Sequence, residues 1–122
     1  NKQEQLVSDK NISLFNTWTN ISKEKYKTVS CGDYHTAVID SEGLLWGCGA
    51  NRYWQLGVDY HAMDNIFENV HSLKTLSIQK FTAVSCGGYH TCAISETGQL
   101  WGSGENNYGQ LSHDLYKSTI HF

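Results

Sequence analysis

The side chains of this 122-residue chain able to do chemistry near neutral pH are chiefly its six histidines and four cysteines. Two histidines are set identically. His35 stands in Gly32-Asp33-Tyr34-His35-Thr36 and His90 in Gly87-Gly88-Tyr89-His90-Thr91. An imidazole repeated in phase invites a reading as a general base, which needs a nucleophile in reach and a group to orient it. No nucleophile–base pair, paired carboxylates, phosphate-cradling glycine loop or metal-ligand cluster has the spacing for that. Covalent catalysis is not expected, nor any cofactor or metal. A side chain that recurs in every unit more simply fixes each unit, for instance by bonding a neighbouring loop carbonyl. His61, His71, His113 and His121 share no phase and read as linker or surface residues.

The cysteines read as structural thiols. Cys31 and Cys86 occupy one repeated position, while Cys48 is matched by Ser103 and Cys92 by Ala37, as at small buried sites. No Cys-x-x-Cys or Cys/His spacing of a zinc site is present.

The elements that position these residues are written twice. Val29–Asp59 and Val84–Asp114 superpose without a gap at an offset of 55 residues, with 18 of 31 positions identical. Shared positions include Gly32/Gly87, Gly43/Gly98, Trp46/Trp101, Gly47/Gly102, Gly49/Gly104 and Gln55/Gln110. A further pairing of Asn1–Asp9 with Asn51–Asp59 and Asn106–Asp114 divides the chain into units 1–50 and 51–105 and the start of another, 106–122, with no separate second domain. Such periodicity marks propellers and solenoids.

Within each unit the pattern is that of short strands. Residues 26–30 and 36–39 alternate or run apolar, and 44–46 make a third strand. Ser41-Glu42-Gly43 and Glu96-Thr97-Gly98 fit hairpin turns in which glycine takes positive φ. Trp46 and Trp101 are expected in the blade cores, with Gly47/Gly49 and Gly102/Gly104 allowing close backbone approach beside them. No sustained helical period appears, so the chain reads as all-β.

The combination V-S-C-G-x-Y-H-T, x-G-x-L-W-G-x-G-x-N and Q-L, present twice, resembles the regulator of chromosome condensation repeat. That resemblance implies a β-propeller of four-stranded antiparallel blades, seven in the parent ring, of which this segment supplies about two plus partial ends. The missing blades then come from the rest of a parent chain or from self-association of copies. It also implies an intracellular protein, cytoplasmic or nuclear, in which the sequons at Asn11 and Asn20 are chance matches. Equivalents of His35 and His90 in the exchange-factor branch lie near the face that contacts a small GTPase. A light-sensing branch uses a Trp in G-W-R-H-T; Asp33-Tyr34 and Gly88-Tyr89 replace it here, so light sensing is not supported.

Departures from the family pattern mark where individuality lies. The usual N-x-x-G-Q-L-G ending carries Trp54 for its first glycine and Ser112 for its last. If that turn needs positive φ, Trp54 is strained or the turn has changed shape. Its indole either anchors a partner or packs on the adjacent blade. The linker after Asp59 is five residues longer than its counterpart, and Tyr60, Met63, Ile66 and Phe67 fall at helical spacing. With His61 they form a candidate partner loop, because insertions in repeat proteins collect on one face.

Charge narrows the partner class. The net charge is −3, with eight Lys and the single Arg52, and Glu24 interrupts the Lys23/Lys25/Lys27 cluster. No basic stripe for nucleic acid and no membrane-length apolar run is present. Two functions follow as expectations: a protein–protein interaction scaffold in a larger regulatory protein, or a guanine-nucleotide exchange factor for a Ran-like GTPase. Asp33, His35 and His90 are the candidate contacts for the second.

Overall fold

The structure, a computed structural model, describes residues 18, 20, 22–57 and 70–111, with the backbone alone over 70–78. All regular structure among them is β. The strands are β1 (Tyr26–Cys31), β2 (His35–Asp40), β3 (Leu44–Gly49), β4 (Val70–Cys86), β5 (His90–Ser95) and β6 (Leu100–Gly104). Each pairs antiparallel with the next, in the order β1-β2-β3-β4-β5-β6.

β4 is the element that makes two blades of one ribbon. Residues 70–80 pair with β3, from Gly49↔Val70 to Leu44↔Lys80, with two register shifts. Residues 81–86 turn to pair with β5. The first blade therefore comprises β1, β2, β3 and the opening of β4, and runs from Tyr26 to Lys80. The second begins at Phe81, whose N–H donates to the Gly43 carbonyl at 2.7 Å.

The hairpins close as the glycine pattern predicts. Gly43 has φ 90° and Gly98 φ 80°. In the first blade, Asp40 builds the turn: its Oδ1 accepts the Glu42 and Leu44 amides, each at 2.9 Å, and its Oδ2 accepts the Trp46 indole N–H at 2.7 Å. Burial alone would raise the Asp40 carboxyl. The Trp46 indole and the Leu44, Glu42 and Gly43 amides outweigh it and hold the group below its ordinary range.

The core lies between the blades, where Ala37, Ile39, Leu45 and Leu56 of the first side meet Phe81 and Ala93 of the second. Removing each large aliphatic side chain there from water contributes about 1.5–3 kcal/mol. β2 is covered on both faces, and His35 to Ile39 are all buried. Its counterpart β5 buries only Thr91, Ala93 and Ser95, the residues facing the first blade. Trp46 and Trp101 depart from expectation: both are half-buried, with Trp101 packed against the edge of the core. Trp46 lies on the face of β3 opposite Leu45, which takes the interior, whereas Trp101 shares the face of Ala93, its ladder partner, against the core.

Candidate functional site

The loops that enter β2 and β5 meet at the blade junction, tied from below by His35. Its ring is fully buried, and Nε2 lies 2.7 Å from the Thr91 hydroxyl. That hydroxyl donates in turn to the Gln55 carbonyl at 2.6 Å, so the imidazole must be the donor to Thr91. The expected histidine–carbonyl bond is therefore made through a threonine relay. A second tie runs from the Cys86 N–H to Ser30 Oγ at 2.8 Å. Burial, with His90 adding to it against the pull of Asp33, brings the His35 pKa down to about 4 from 6.5. The ring is neutral at physiological pH.

Gly32 and Gly87 are present for space. A Cβ on Gly32 would run into the Gly87 carbonyl and lie 2.7 Å from His35 Cε1, and one on Gly87 would strike the His90 ring.

The third loop, residues 51–57, repeats its geometry at 106–111. Asn51 Oδ1 accepts the Leu56 amide and Gln55 Oε1 accepts the Tyr53 amide, as Asn106 and Gln110 do for Leu111 and Tyr108. This turn does need positive φ: Trp54 has φ 58° and its counterpart Gly109 has φ 73°. The turn keeps its shape and Trp54 carries the strain, of the order of 1–2 kcal/mol. The Trp54 carbonyl is held by the Ser103 hydroxyl of the second blade at 2.6 Å.

On top of these loops lies a group of aromatic rings. Tyr34 and Tyr89 stack with centroids 5.1 Å apart and 17° between planes. Tyr53 meets Tyr89 edge-on at 4.9 Å, and the Arg52 guanidinium sits 5.7 Å from the Tyr53 centroid. The phenol of Tyr89 is pushed up by its hydrogen bond with Tyr34. Asp33 is exposed at the rim, beside the bare backbone of Gly88, where a Cβ would lie 3.0 Å from its carboxylate. Three half-buried rings, a guanidinium and a carboxylate make a rigid amphipathic surface, of the kind that anchors protein partners.

The residues singled out in the sequence separate accordingly. Asp33 lies on this face, His90 is half-buried beneath it, and Trp54 is half-buried in the adjoining turn. His35 has no exposed surface and bonds Thr91 across the junction. Tyr60, His61, Met63, Ile66 and Phe67 lie outside the described residues. Tyr34, Tyr89, Tyr53 and Arg52 were not foreseen as a site. Their signal was the in-phase recurrence of Tyr34/Tyr89 and Tyr53/Tyr108. Among the described residues no group of three His, Cys, Asp or Glu side chains is placed to hold a metal ion, and no helix is long and apolar enough to cross a membrane.

Two sequence-family models of the regulator of chromosome condensation (RCC1) repeat match this chain, one at residues 26–55 and 81–110 and the other at 42–94. The chain belongs to the RCC1 repeat family. Among its relatives, the RCC1 domain-containing protein RUG3, mitochondrial, of Arabidopsis thaliana is 36% identical over 69% of this chain and 18% of its own length. The probable E3 ubiquitin-protein ligase HERC4 of Homo sapiens is 34% identical over 79% of this chain and 8% of its own. The chain thus spans less than a fifth of either relative.

Solved RCC1-type structures share the fold. A crystal structure of Kap60 bound to yeast RCC1 (Prp20) superposes with TM-score 0.82 at 16% identity, covering 99% of this chain and 30% of that one. Prp20p from Saccharomyces cerevisiae, studied with its binding to Gsp1p and histones, gives TM-score 0.71 at 17% identity, over 84% and 26%. The two blades are a segment of an RCC1-type β-propeller.

Proposed function

We propose that this RCC1-type segment is an interaction module of a larger, intracellular regulatory protein and docks a protein partner on the Tyr34–Tyr89–Tyr53 face. In this reading, 1–50 and 51–105 are its repeats, 106–122 begins another, and the remaining blades come from the parent chain or from self-association. The observation that carries it is the built face itself: rings from three loops, fixed by backbone and side-chain hydrogen bonds on rigid strands. The work asked of it is binding, with no covalent step.

Site-specific photocrosslinking in the intact protein tests this. A photoreactive residue at Tyr53 or Arg52 is expected to capture the same protein partner, and one at the exposed hairpin residue Thr97 is expected to capture none. Tyr53→Ala should then weaken binding of that purified partner about tenfold or more. Capture from Thr97 and not from Tyr53 would move the interface elsewhere.

A second reading, exchange factor for a Ran-like GTPase, is favoured by the fold shared with Prp20p and by the exposed Asp33 on the same face. Accelerated release of a fluorescent guanine nucleotide from such a GTPase, lost in Asp33→Ala, would support it. Unchanged release would leave the scaffold role alone.

A further inference from the structure

His35 stands where the two blades meet, and its surroundings admit one tautomer. Nε2–H is donated to Thr91, whose own hydrogen goes to Gln55, so Nδ1 is bare. Nδ1 is buried, and among the described residues no hydrogen-bond partner faces it. The ring lies over the Gly32 backbone, where a Cβ would come within 2.8 Å of Nδ1. A proton can enter the ring only at this nitrogen. It would create a charged N–H with no acceptor, in a site closed to water. Relief comes from admitting water, and water enters by separating the blades.

We propose that His35 is an acid-opened latch between the two blades, tying them when neutral and releasing them when protonated. Two titratable neighbours bias it: Asp33, on the loop before β2, favours the proton, and His90, across the junction on β5, opposes it. Thr91, which accepts the ring N–H, and Gly32 beneath the ring do not titrate, and burial pushes up the Cys86 thiol beside Thr91. Tyr89, with its phenol pushed up, stays neutral throughout. In the opened or unfolded chain His35 takes its proton near pH 6.5, whereas the closed junction resists until about pH 4. The closed state is therefore at full strength above pH 6.5 and loses strength as pH falls from 6.5 towards 4. Tyr34 and Tyr89 directly precede His35 and His90, so opening the latch also parts the stacked pair.

The test follows the Cys86 amide, which crosses the junction to Ser30 Oγ, by hydrogen exchange in the intact protein. Its protection factor is compared with amides inside the β2–β3 ladder from pH 7 to pH 4, while histidine NMR follows the His35 ring. The expected result is a selective loss of Cys86 protection, at least tenfold, as His35 titrates well below 6.5. His35→Gln keeps a donor for Thr91 without a titrating ring and should flatten that pH dependence. His35→Ala should leave Cys86 poorly protected at every pH. A His35 midpoint near 6.5 with the junction closed, Cys86 protection unchanged on titration, or an equal acid response in His35→Gln would each overturn the proposal.

Discussion

At the scale of single residues, the two repeats serve as controls for one another. Asp40 and Ser95 share a position, and only the carboxylate is long enough to reach the tryptophan of its blade. Ser95 Oγ takes the Gln99 amide at 3.1 Å, as Asp40 takes that of Leu44, but among the described residues the buried Trp101 Nε1 has no partner. Ser95→Asp should therefore stabilise the chain by about 1 kcal/mol, and Asp40→Ser should cost about as much or more, measured by urea unfolding. The glycines divide in the same way. Gly98 needs its positive φ but has open space around it, so Gly98→Ala should cost about 1 kcal/mol of backbone strain. Gly32→Ala meets the Gly87 carbonyl and the His35 ring, and should cost roughly 3 kcal/mol or more, enough to disrupt the junction. The glycine motif was legible in the sequence; which glycines serve conformation and which serve space was not. That difference depends on what the neighbouring blade brings against them.

At the scale of strands, burial follows neighbours rather than residue type. Leu45 and Leu100 occupy the same place in the repeat, yet Leu45 is 0% exposed and Leu100 is 72% exposed. Leu45→Ala is expected to cost about 2–5 kcal/mol, and Leu100→Ala well under 1 kcal/mol, in the same thermal or urea unfolding assay. Equal losses would mean that the second blade is covered as the first is. Strand positions and turns could be read from alternation and glycines because both are local. The doubling of β4, by contrast, left no local signal: Lys80 and Phe81 adjoin within one continuous strand, and only their partners differ. The tyrosine face was hidden for a related reason. Tyr53 and Tyr89 are remote in sequence and meet only through the stacking of one blade on the next.

At the scale of the whole molecule, ties across the junction join one face of the first blade to the opposite face of the second, so what holds the fold also sets the spacing of its loops. His35 to Thr91, Ser30 to Cys86 and Trp54 to Ser103 are separated by 56, 56 and 49 residues, close to the 55-residue period. A partner that grips Tyr34, Tyr53 and Tyr89 together reads both blades at once. Its affinity then depends on the junction as well as on the rings, which is the reason to pair crosslinking at Tyr53 with binding measurements. The shared strand has a mechanical consequence. With no loop between Lys80 and Phe81, the blades stay joined by continuous strand even where the His35 latch lets their faces part. A pull on the first blade passes along taut backbone directly into the second, so the pair bears tension as a single spring.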